Sequence, residues 1–121
     1  MIHLKSKRIQ AVFFKTDSGA EPVRKWLKAM SKRDKVLIGT DIRTVEMGWP
    51  IGMPVCRKLV DDIYEVRTTL KDTIARVLFA IEDGDMILLE GIIKKQQKTP
   101  RDAIDLAKAR LRLWRRNHEE E

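Results

Sequence analysis

Three apolar stretches between Ile63 and Lys94 follow one another with almost no chain to spare, and this spacing limits the fold more than any other feature. Ile63–Leu70, Thr73–Glu82 and Met86–Lys94 carry many β-branched and aromatic residues, and only Lys71-Asp72 and Asp83-Gly84-Asp85 separate them. Connections so short permit antiparallel neighbours alone, because a parallel crossover needs a dozen residues or more. Asp-Gly is also a strong hairpin-turn signal. The segment therefore reads as a three-stranded meander. Its last strand has apolar residues on both faces, Ile87, Leu89 and Ile93 on one and Leu88 and Ile92 on the other, so it should lie inside the sheet.

The remaining chain supplies what covers such a sheet. Arg8–Lys15 reads as a further strand, ending at the turn cluster Thr16-Asp17-Ser18-Gly19. Pro22 sits at the start of a helix with Val23, Trp26, Leu27 and Met30 on one face. Ser31 is placed to cap a second helix, with Asp34 as the acidic partner three residues on. That helix should run to about Met47, where Gly48-Trp49-Pro50 stops it. An irregular crossing over Ile51–Pro54 follows. Pro100 opens a C-terminal helix to about Arg116, with Ile104, Ala107, Leu111 and Trp114 near one stripe. The expected order is β-α-α-β-β-β-α over residues 1–121, read as one domain. It is an α+β fold in which a helical hairpin and a C-terminal helix pack on a mostly antiparallel four-stranded sheet.

Charge narrows the partner. The net charge is +7, and residues 1–60 carry 13 Lys/Arg against 5 Asp/Glu. Such an excess favours a polyanion through counterion release, or serves solubility. No apolar run exceeds the length of a strand or approaches a membrane span, so no membrane partner is expected. Met1–Arg8 lacks the apolar segment of a signal peptide, and the lone Cys56 has no partner for a disulfide or a metal set. A cytoplasmic location is expected. No phosphate-binding loop, dinucleotide fingerprint or zinc spacing occurs, which argues against nucleotide, zinc and redox enzymes; no cofactor or metal is called for.

Arg67 and Arg76 each interrupt an apolar strand. From adjacent antiparallel strands they are expected to point to one sheet face, with Lys94 approaching them at the end of the third strand. Arginine inside a sheet is costly unless it has a task or a partner, and Glu65, Glu82 and Glu90 are the partners within reach. Lys94, Lys95 and Lys98 follow the interior strand and could form an RNA-contacting edge or an ordinary solvated turn. Tyr64 could stack on a base, although beside Val66 and Thr68 on a strand it reads better as core. Trp26 reads as core, and Trp49 as a lid over the end of the helical hairpin. Trp114 is either core or a partner contact.

Taken together, several phrases resemble HigB-like toxins of the RelE/ParE superfamily, in the branch often labelled phage-derived. They are Glu21-Pro22-Val23-Arg24-Lys25-Trp26-Leu27, Gly48-Trp49-Pro50-Ile51-Gly52-Met53-Pro54 with Arg57-Lys58-Leu59, Ile63-Tyr64-Glu65-Val66-Arg67, and Ile74-Ala75-Arg76-Val77-Leu78-Phe79. The densest runs from Leu88 through Glu90-Gly91 to Lys98-Thr99-Pro100. The resemblance implies a ribosome-dependent endoribonuclease that cleaves mRNA through the 2′-hydroxyl without a metal, and so inhibits translation. It also implies a helix-turn-helix antitoxin as partner, with operator DNA bound only through that antitoxin. Arg67, Arg76 and Lys94 are then the expected catalytic cations, and Arg57, Lys58, Lys95 and Lys98 the RNA-binding ones.

One departure stands out. The family phrase usually carries histidine where this chain has Glu90, and the two histidines, His3 and His118, lie at the ends. Glu90 is therefore either a base or the anchor of Arg67 or Arg76. Two other functions fit the same fold: a ParE-like inhibitor of DNA gyrase that performs no chemistry, and an RNA-binding relative without activity.

Overall fold

The meander forms as its spacing requires, and the sheet around it gains one more strand. The computed structural model describes residues 7–119. Its elements are β1 (Gln10–Phe13), α1 (Pro22–Lys28), α2 (Lys32–Gly48), β2 (Cys56–Val60), β3 (Ile63–Thr69), β4 (Ile74–Glu82), β5 (Asp85–Lys94) and α3 (Arg101–Asn117). The sheet has five strands in the order β1-β5-β4-β3-β2. Every pairing is antiparallel except β1 with β5. The expected count of four is thus corrected by β2, whose Arg57-Lys58 pair obscures its alternation. Cations of this kind are what an edge strand carries to discourage further pairing. His3, and Met1 to Ser6 of the basic N-terminal stretch, lie outside the described residues.

Local chemistry explains the boundaries. Asp83 and Gly84 both take positive φ, 51° and 84°, as a type I′ hairpin demands. The Ser31 hydroxyl accepts the Asp34 N–H at 3.2 Å and caps α2. The Trp49-Pro50 and Met53-Pro54 bonds in the crossing are cis. Glu46, buried on α2, ties down the short strand β1: its carboxylate accepts the Ala11 N–H at 2.7 Å, and its carbonyl accepts the N–H groups of Arg8 and Ile9.

Helices cover both faces. On one, Val23 of α1 and Ile38, Ile42 and Val45 of α2 pack with Val66, Val77, Phe79 and Leu88. On the other, Ala103, Ala107 and Leu111 of α3 pack with Ile63, Leu78, Ala80, Ile87 and Leu89. Each large aliphatic side chain buried this way contributes roughly 1.5–3 kcal/mol, so the two apolar layers hold the molecule together. Trp49 meets Tyr64 edge-on at 5.0 Å, and Tyr64 stacks on Phe79 at 5.6 Å. Tyr64 is a core residue. Trp26 lies so close over β5 that a Cβ on Gly91 would stand 2.4 Å from its ring; only glycine fits there.

Candidate nucleic-acid interface

Strand alternation builds the charged end of the sheet. Glu65 and Arg67 are two residues apart on β3 and so share a face. Arg57 on β2 lies opposite Glu65, and Arg76 on β4 lies opposite Arg67. The two arginines expected to share one sheet face do so. Like charges directly opposite repel, and Glu65 answers that repulsion. Its Oε2 accepts from Arg57 at 2.9 Å and from Arg67 at 3.0 Å, and its Oε1 lies 3.8 Å from Arg76 Nε. Thr99 donates its hydroxyl to the same Oε1.

Three guanidinium groups thus surround one carboxylate. Glu65 and Arg76 are fully buried, whereas the side chains of Arg67 and Arg57 are 9% and 37% exposed. Burial first, and then the neighbouring Arg67, push Arg76 below the usual arginine value, with Glu65 opposing them. At a separation of 4 Å and an effective dielectric of 20, two unit charges interact by about 4 kcal/mol. One anion cannot offset three cations at that scale, so positive charge remains in surplus.

Above this cluster lies the segment between β5 and α3. Arg67 donates to the Gln97 carbonyl at 3.2 Å and to the Gln97 side-chain oxygen at 2.9 Å. Arg76 donates to the carbonyls of Lys94 and Gln96. The arginines therefore hold the loop from below, while Lys94, Lys95 and Lys98 stand exposed on it. Lys94, at the end of β5, meets Arg76 through its main-chain oxygen. A groove of about 330 Å³ between α2 (Leu37, Thr40, Asp41) and the end of β3 also reaches Arg67.

Glu90 belongs elsewhere. It accepts from Arg110 of α3 at 3.2 Å and from the Gly91 N–H at 3.1 Å, while Arg110 also donates to the Leu89 carbonyl at 2.7 Å. Arg67 and Arg76 are not its partners. Their anchor is Glu65. Lys58 lines a separate groove with Asp61, Asp62 and Lys108 of α3. Trp114 packs at the margin of the α3 core and stacks on His118 at 3.9 Å. Both line a groove of about 630 Å³ beside Phe13 and Lys15. Among the described residues no three His, Cys, Asp or Glu side chains gather as metal donors, and no helix is long and apolar enough to cross a membrane.

Sequence reasoning did not single out Gln97, Thr99 or Arg110, all of which act across long separations. The central role of Glu65 was within reach, since alternation already places it beside Arg67. None of the curated proteins compared with the chain matches it. The family model for phage-derived Gp49-like proteins (DUF891) matches residues 25–112, a span that holds Arg57, Glu65, Arg67, Arg76, Gln97 and Thr99. With well over half of its length matched, the chain belongs to the phage-derived Gp49-like family (DUF891), within the RelE/HigB-like toxins.

Proposed function

We propose that the protein is the toxin of a toxin–antitoxin pair and that it cleaves messenger RNA on the ribosome. The observation that carries this reading is the surplus of guanidinium charge beneath an exposed loop bearing Lys94, Lys95 and Lys98. Membership of the Gp49-like family supports it.

In the reaction the RNA 2′-oxygen attacks the adjacent phosphorus and the P–O5′ bond breaks. A 2′,3′-cyclic phosphate and a 5′-hydroxyl result. Negative charge grows on the phosphate oxygens, and Arg57 and Arg67 face it with N–H groups that Glu65 has already oriented. Buried Arg76 acts from behind, positioning the lysine-bearing loop through its carbonyls. The 2′-hydroxyl proton must pass to a base and the 5′-oxygen must gain one from an acid, both supplied at the rim. Lys94, Lys95 and Lys98 are the rim candidates. Glu90, joined to Arg110, anchors α3. The antitoxin covers this end with acidic or apolar residues and alone contacts operator DNA.

The test is cleavage mapping of mRNA in a translating extract with wild-type protein and Arg67→Gln. Wild type should cut, and the variant should lose on the order of a hundredfold in rate, as for removal of one preorganised donor. Intact mRNA with arrested replication would point to gyrase inhibition. RNA binding without cleavage would point to an inactive relative.

A further inference from the structure

We infer that Gln97 is a displaceable plug on a phosphate site formed by Arg57 and Arg67, and that RNA binds by pushing its carboxamide aside. The inference rests on the reading of this end as the RNA-contacting one. Arg57 and Arg67 bond the same oxygen of Glu65, at 2.9 and 3.0 Å. Their bonding nitrogens are thus no further apart than two hydrogen bonds laid end to end, a span that one phosphate can bridge. Glu65 is fully buried and fixes both guanidinium groups from the inner side. On the outer side, Arg57 Nη1 has no partner among the described residues.

Arg67 Nη2 faces outward too, but the Gln97 side-chain oxygen occupies it at 2.9 Å. Gln97 is exposed, so no apolar burial holds that side chain in place. The contact is between a neutral amide and a cation. A phosphate oxygen makes the stronger, charge-assisted bond with the same fork. The exchange need not free the loop. Its main chain stays tied through the Gln97 and Gln96 carbonyls and through Thr99.

The probe is a short fluorescent single-stranded RNA, with anisotropy read at one fixed salt concentration on the full chain. Removing the plug in Gln97→Ala should tighten binding several-fold, and Gln97→Glu, which sets a carboxylate on Arg67, should weaken it on the order of tenfold or more. In an Arg67→Gln background the effect of Gln97→Ala should vanish. Thermal melts confirm that each variant is folded; if Arg67→Gln is not, Arg57→Gln at the more exposed rim takes its place. If Gln97→Ala weakens binding or leaves it unchanged while Arg67→Gln weakens it, the plug is overturned and the phosphate-contacting arginine stands. If Arg67→Gln and Arg57→Gln both bind RNA as wild type does, the underlying reading fails and the plug fails with it.

Discussion

Near the first turn of α3, Arg57, Arg67 and Arg76 crowd around Glu65; at its last turn, Arg115 sits between Glu82 and Asp62. Both clusters fasten the sheet to what covers it, and their charge balances are opposite. Arg115 makes a two-pronged contact with Glu82 at 3.0 and 2.9 Å and adds Asp62 at 3.0 Å. Glu82 first, and then Asp62, hold it above the usual arginine value. Its charge is answered by two carboxylates, so an incoming anion meets no surplus of positive charge there. At the other end cations outnumber the anion, and part of the excess reaches the surface through Arg57. A saturated cluster can only hold, whereas an unsaturated one can also bind.

The largest effect should come from removing the anions. Glu65→Leu leaves buried guanidinium groups without a counter-charge and should cost about 3–5 kcal/mol in urea unfolding. Glu82→Leu should cost far less, because Arg115 keeps Asp62 and is itself well exposed. Similar losses for both would erase the contrast.

A substitution touching neither cluster separates global from local damage. Gly91→Ala drives a Cβ into Trp26 and should cost about 1–3 kcal/mol by overpacking. The salt dependence of RNA binding should survive it, because the phosphate-contacting groups are untouched.

Cys56 offers a reporter of the Glu65 charge. Burial first, and then Glu65, push its thiol from 9.0 up to about 11. The folded value is the higher one, so this group's share of stability is complete below pH 9 and is lost as pH rises towards about 11. Stability should therefore fall over that interval more steeply in wild type than in Cys56→Ala. Glu65→Gln should lower the thiol pKa and speed alkylation of the native protein, while Glu82→Gln should do neither.

The smallest effect belongs to Asp62→Asn. Its side chain is 63% exposed, and the change should cost below about 1 kcal/mol and disappear in high salt. A loss as large as that for Glu65→Leu would mean that exposure does not separate the two ends.

Much of the fold was legible because local rules set it. Ser31 announced the start of α2, Gly48-Trp49 its end, and Asp83-Gly84 the hairpin. β2 was not legible, since Cys56-Arg57-Lys58-Leu59-Val60 is too short and too charged to reveal its alternation until β3 lies beside it. In the candidate site, alternation placed Arg67 and Arg76 together. It could not reveal that Thr99 would return to Glu65, or that a register shift near Leu78 would accompany the joining of Glu90 to Arg110. Those contacts depend on how distant segments close, which no local pattern encodes.

The parallel pairing of β1 with β5 has a consequence for the order of assembly. The meander can form by closing short loops, whereas Gln10 must find Asp85 across most of the chain. Closing so large a loop is entropically costly before any contact rewards it, and such pairings form late. In its place the strand donates its Ala11 amide to Glu46 of α2, a contact that exists only once α2 is docked. In a hydrogen-exchange experiment the β1 amides should lose protection sooner than those of β4, which is paired on both sides. Of the described strands, the first in sequence is expected to be the last to join the sheet.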